Sequence, residues 1–194
     1  MNETFYHGSS TLFKEFDLTH ALEGDGKVKF GYGVYVTSQY RSASHYAGVN
    51  PEAKKFYVYT LEIPAINEDN YIAFKETVKP IIVRRAEQKL GEAIPADVTS
   101  DGKDFRKYIA KRLTGKVNLE GEKVASSFLM ELGVEFIVWP YSWKNPLLGT
   151  NRVVLNNHHV KIVRIEEVEL DVKKHLIEGS QKQVDILNSH NELL

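Results

Sequence analysis

The sequence predicts an α+β protein: a mixed β core of two packed sheets carrying a helical insertion. Two patterns point that way. Aromatic and β-branched runs cluster towards both ends of the chain, and helical spacing dominates the middle. Size gives the third observation. A chain of 194 residues fits one domain. At that length roughly two thirds of the unfolded surface can be buried.

Taken in order, residues 4–7 read as a strand running into the Gly8-Ser9-Ser10 turn. Residues 17–29 carry Gly24 and Gly26 among charges and read as a loop. Residues 30–37 (FGYGVYVT) form a strand entered through two glycines, and Ser38 is placed to cap a helix through Ala47. Residues 55–63 are a strand ended by Pro64. Residues 70–90 show helical spacing with Pro80 as a kink or break, followed by helices over 104–113 and 121–132. Strands return at 134–139, 151–155 and 160–170. The tail from Lys174 is weakly amphipathic, either a docked helix or frayed. The expected organisation is one domain over 1–194, with an insertion at 65–120 and an extension at 172–194.

Composition excludes several functions. Hydrophobic residues are 42% and charged residues 26%, which argues against disorder, collagen and coiled coil. The absence of cysteine excludes disulfide scaffolds, thiolate zinc sites and a thiol nucleophile. His158 and His159 are adjacent in a turn without partners at ligand spacing, so no metal is expected. A net charge of −1 means that any basic site must be local. Nothing approaches 18 consecutive apolar residues, and MNETFYHGSS lacks a signal-peptide layout. The expectation is a cytoplasmic protein with no membrane partner.

The most informative residues are Tyr6-His7-Gly8-Ser9, then residues 31–37, then Ala43-Ser44-His45-Tyr46-Ala47. A histidine at a strand end beside Gly-Ser offers an imidazole, a bare N–H and a hydroxyl at one point. Glycines ahead of Tyr35 allow close backbone approach, and Tyr35 and Tyr46 supply two aromatic faces. Such a set could hold an aromatic carboxamide. The competing explanation is a buried aromatic cluster with a satisfied histidine.

These residues, with 125–139 and the run Gly149-Thr150-Asn151-Arg152-Val153-Val154-Leu155, resemble the ADP-ribosyltransferases of the diphtheria-toxin and poly(ADP-ribose) polymerase type. The resemblance covers residues 4–63 and 124–170. It implies NAD as substrate and no metal. His7 would bond the adenosine ribose. Gly8 would clamp the nicotinamide carboxamide, helped by Ser9 or by Ser42 and Ser44, while Tyr35 and Tyr46 would stack on the nicotinamide ring. Where the family carries a glutamate, this chain has Asn151, which can hydrogen-bond but bears no charge. Losing such a stabiliser costs ~10²–10³ in rate.

Three outcomes fit that departure. Transfer could be substrate-assisted and limited to a single ADP-ribose; the acceptor could be a nucleobase or phosphate positioned by Arg152; or the protein binds NAD without catalysis. A slipped alignment would bring in Glu135, Glu166 or Glu167. The family's small bacterial and phage members further imply an intracellular toxin or defence effector paired with an antitoxin. An NAD glycohydrolase is the other enzymatic alternative.

Two features bear on the acceptor, protein or single-stranded nucleic acid. Lys103, Lys107 and Lys111 recur every four residues and form a helical row flanked by Arg106 and Arg112, with Phe105 and Tyr108 placed to stack on a base. Lys79, Arg84 and Arg85 form a second basic group. The alternative is a solvated face with Phe105, Ile109 and Leu113 turned inward. Tyr141 and Trp143 lie just before the Asn151 motif, either exposed for recognition or folded over the core.

Overall fold

The computed structural model describes residues 1–18 and 29–185. Among them are eight strands and four α-helices, with both parallel and antiparallel pairings, a mixed α/β architecture. The chain divides into two compact units. The first comprises Met1–Asp17, Val36–Pro64 and His158–Leu194; the second comprises Leu18–Tyr35 and Ala65–Asn157.

In the first unit, β1 (Asn2–Ser9) pairs antiparallel with β3 (Phe56–Pro64) along its whole length. β2 (Val34–Thr37) contributes its last two residues here, with Tyr6 opposite Thr37. The strand order is β2-β1-β3-β7-β8, with β7 at Lys161–Val168 and β8 at Lys182–Gln183. Tyr57, Tyr59, Leu61 and Ile63 of β3 are buried on one face, and Val58 is buried on the other, where it packs with Ala43 of the first helix. α1 (Tyr40–Ala47) packs on this ladder through Ala43. It starts one residue later than a Ser38 cap would place it, because Gln39 is the cap residue and makes no side-chain cap bond. The tail does not form the expected helix: residues 174–185 hold turns and β8, and residues 186–194 lie outside the described residues. So does most of the loop expected over 17–29.

The second unit has strand order β4-β5-β6-β2, with β4 at Tyr71–Ala73, β5 at Phe136–Pro140 and β6 at Thr150–Val154. β4 and β5 run parallel. Each unit therefore carries a single ladder, not two sheets packed face to face. The helix expected over 70–90 is two elements: β4, then α2 (Pro80–Leu90). Pro80 occupies the first helical turn, where its missing N–H costs nothing, so it starts the helix instead of kinking it. α3 (Gly102–Thr114) is capped by Asp101, whose carboxylate accepts from the Asp104 N–H at 2.7 Å. α4 (Leu119–Glu131) is capped by Asn118, which accepts from the Gly121 N–H at 3.1 Å. Phe105, Ile109, Ala125, Leu129, Ile137 and Val153 form one core with Ile72 and Ile82. The middle segment thus shares one core with α4, β5 and β6.

Candidate functional site

The first unit gathers His7, Gly8, Ser9, Ser42, Ser44 and Tyr46. β1 carries the first three at its C-terminal end, and α1 carries the others. His7 stands in an aromatic cluster: its ring lies edge-on to Phe16 at 5.1 Å, with Tyr59 at 6.1 Å and Phe13 at 6.2 Å. Phe13 stacks flat on Tyr59 at 4.3 Å. The Tyr59 hydroxyl donates to the Thr11 carbonyl at 3.0 Å and accepts from the Phe13 N–H at 2.8 Å. Of these rings only Tyr59 is fully buried; His7, Phe13 and Phe16 are half-buried.

The glycine beside it has a packing task. A Cβ on Gly8 would fall 1.7 Å from the Ala43 carbonyl oxygen. Gly8 is therefore required where α1 lies against β1, whatever else its backbone holds. Ser9 accepts from the Thr11 N–H at 3.0 Å, and the buried Ser44 hydroxyl donates to the Arg41 carbonyl at 2.8 Å inside α1. Ser42 is half-buried, and Tyr46 keeps 63% of its surface exposed.

The second unit holds Tyr35 and Asn151 and relates them through a residue that the sequence reading had not singled out, Trp139. Tyr35 meets Trp139 edge-on at 6.0 Å, and Phe30 stacks on the Trp139 ring at 4.0 Å with planes 4° apart. Trp139 is the direct cross-strand partner of Asn151. Residues opposite one another in an antiparallel ladder share a face, so Asn151 lies on the same face as the indole that Tyr35 meets. The Tyr35 hydroxyl donates to the Gly31 carbonyl at 2.9 Å and accepts from the Phe30 N–H at 3.1 Å. Burial pushes its pKa up to about 12, so it is a neutral hydrogen-bonding phenol at physiological pH. The two glycines ahead of it are filled against: a Cβ on Gly31 would meet Ile137 and Arg106, and one on Gly33 would lie 2.4 Å from the Val154 carbonyl oxygen.

Arg152 points the other way. It is buried, and its guanidinium sits 5.4 Å from the Phe136 ring centroid. Alternation along β6 puts it on the face opposite Asn151, so it does not reach an acceptor beside that residue. Two of the substitute carboxylates are engaged elsewhere: Glu166 accepts from the Tyr40 hydroxyl at 3.0 Å and pairs with Arg164, and Glu167 pairs with Lys55. Glu135 stands just before β5, where its backbone carbonyl accepts from the Leu155 N–H at 2.9 Å.

The basic helix is partly as anticipated. Lys107 is half-exposed and Lys111 exposed, while Lys103 lies 3.7 Å from the Asp104 carboxylate. Phe105 and Arg106 belong to the buried face of α3, so neither stacks on a base nor extends the basic row. Leu113, expected inward, is exposed. Arg112 makes a forked pair with Glu92, which also accepts from the Tyr108 hydroxyl at 3.3 Å. Two members of the second basic group are engaged: Arg85 pairs with Asp69 and donates to the Leu132 carbonyl, and the Lys79 ammonium lies over Tyr71, while Arg84 is exposed. Tyr141 and Trp143 are exposed, at 45% and 48%, with the Lys75 ammonium 4.3 Å from the Trp143 ring centroid.

Among the described residues no group of three or more histidine or acidic side chains could hold a metal, and His158 and His159 are exposed in a short turn. No helix among them is long and apolar enough to cross a membrane. Comparison with protein-family models, with curated proteins and with solved structures finds no match to the chain.

Proposed function

We propose that the protein is a mono-ADP-ribosyltransferase acting on NAD and a macromolecular acceptor, and that it serves as an intracellular toxin or defence effector countered by an antitoxin. The observation that carries the reading is the relation of Tyr35 and Asn151 to Trp139. The family resemblance assigns the first to the nicotinamide ring and the second to the adjoining ribose, and these residues lie far apart in the chain. In this reading His7 bonds the adenosine ribose, the Gly8 backbone meets the carboxamide, and the exposed Tyr46 ring covers the nicotinamide. The glycosidic bond to nicotinamide breaks, its electron pair stays on the ring nitrogen so that nicotinamide leaves as a neutral pyridine, and the ribose carbon passes through an oxocarbenium-like state. The acceptor's nucleophile then bonds that carbon and gives up its proton. Asn151 supplies a hydrogen bond without charge, so the acceptor or solvent supplies the base, and one ADP-ribose is added per site.

A second reading, a module that binds NAD or nucleic acid without turnover, is favoured by Asn151 itself and by the packing roles found for Gly8 and Ser44. Incubation with NAD labelled in its adenylate part, alongside separate protein, RNA and DNA fractions, decides between them. Label on one fraction with stoichiometric nicotinamide release supports transfer. Release without label indicates a glycohydrolase, and neither product indicates the binding module.

A further inference from the structure

Buried beneath Tyr35 is an ion pair that no part of the proposed chemistry uses. The Arg106 Nε and a Glu122 carboxylate oxygen are 3.0 Å apart, with side chains 1% and 6% exposed. Arg106 comes from α3 and Glu122 from the first turn of α4, where the helix N-terminus favours a carboxylate. Burial works against charge on both, lowering the Arg106 pKa and raising that of Glu122. A pair so costly to bury is weak evidence for stability, so its use has to be sought in what it holds.

What it holds is the turn in front of Tyr35. Arg106 donates through Nη2 to the Lys29 carbonyl at 3.3 Å. Its Nη1 is so close to Gly31 that a Cβ there would lie 3.0 Å away, and Gly31 adopts φ +121°, a conformation closed to other residues without strain. The same turn supplies both groups that grip the Tyr35 hydroxyl, the Phe30 N–H and the Gly31 carbonyl. Phe30, in turn, lies flat on Trp139.

We propose that Arg106 and Glu122 are positioning residues for Tyr35. Glu122 sets the guanidinium, the guanidinium sets the Lys29–Gly31 turn, and the turn fixes the phenol and the Phe30–Trp139 stack. The catalytic meaning rests on the transferase reading; the positioning itself does not.

The test uses the full chain with Arg106→Met and Glu122→Leu combined, which removes both charges and keeps apolar volume, and Arg106→Lys, which keeps the charge but loses the fork that reaches Lys29. Hydrogen exchange at the Phe30 amide is read first, since it needs neither NAD nor an acceptor. Both variants should melt near the wild-type temperature yet exchange Phe30 about ten-fold faster, the loss of one buried hydrogen bond. Nicotinamide release should then fall with kcat more than with KM. Wild-type exchange at Phe30 in either folded variant overturns the positioning role. Faster exchange with unchanged kcat overturns its catalytic meaning. Should the wild-type protein release no nicotinamide at all, the transferase reading fails while the exchange result still decides the positioning.

Discussion

Gly8 and Ala43 are in such close backbone contact that a single added methyl would fall 1.7 Å from the Ala43 carbonyl oxygen, and 2.8 Å from the Ala47 amide nitrogen as well. The obstacles are backbone atoms of α1, which cannot rotate aside as a side chain can. Gly8→Ala must therefore push α1 off β1. The expected loss is at the upper end of the ~1–3 kcal/mol typical of overpacking, or beyond it. Chemical denaturation measures it, and a midpoint equal to wild type would contradict the contact.

Removing the Tyr35 hydroxyl should cost stability at neutral pH and change behaviour at high pH. Tyr35→Phe loses two hydrogen bonds to the 30–31 turn, worth about 1–2 kcal/mol together.

The pH effect has a definite sign. The Tyr35 pKa is raised from 10.0 to about 12 in the folded protein, so between those values the unfolded phenol has lost its proton and the folded one has kept it. Its stabilising contribution is complete below pH 10 and is lost as pH rises towards 12, by at most ~1.4 kcal/mol per pH unit. Burial also pushes Tyr40 and Tyr59 upwards, in the same direction. Urea midpoints across this window should fall with pH, and less steeply in Tyr35→Phe. Equal slopes would show that the Tyr35 phenol is not held as described.

Asn151 gives a prediction of the opposite kind, a gain. Asn151→Glu places a carboxylate opposite Trp139 and, on the proposed function, should raise nicotinamide release by up to ~10²-fold. Asn151→Ala should lower the rate or change the acceptor. An enzyme indifferent to both would place the ribose elsewhere.

Lys103, Lys107 and Lys111 changed together to Glu should weaken binding to a single-stranded oligonucleotide and flatten its salt dependence. An unchanged salt slope returns this helix face to solvent.

The fold was legible wherever periodicity was strong and local. The strand over 55–63 is announced by its β-branched and aromatic residues and by Pro64, and Gly115 closes α3 as expected, whereas Asp101 and Asn118 start α3 and α4 two residues earlier than the 104 and 121 that the sequence suggests. The stretch over 70–90 was misread because Ile72 fits a helical spacing and a short strand equally, and only Pro80 marks the change. The candidate site was legible in its residue types but not in its supports. Arg106 looked like part of a basic row; its burial depends on Glu122, sixteen positions on, and no local pattern announces an ion pair between two helices. Trp139 sat in an apolar run and drew no notice, since its role comes from Phe30 and from strand pairing with Asn151. A tryptophan closing a strand just before a proline was the one signal available.

The proposed function gives His7 and Tyr35 roles in one reaction of NAD, and nicotinamide release tests that proposal most directly. Wild-type protein supplied with its acceptor fraction should liberate nicotinamide, and His7→Ala and Tyr35→Ala, both folded by circular dichroism, should each lower release by about 10²-fold or more. Release at the wild-type rate in either variant, or none from the wild type with any fraction, would contradict the account.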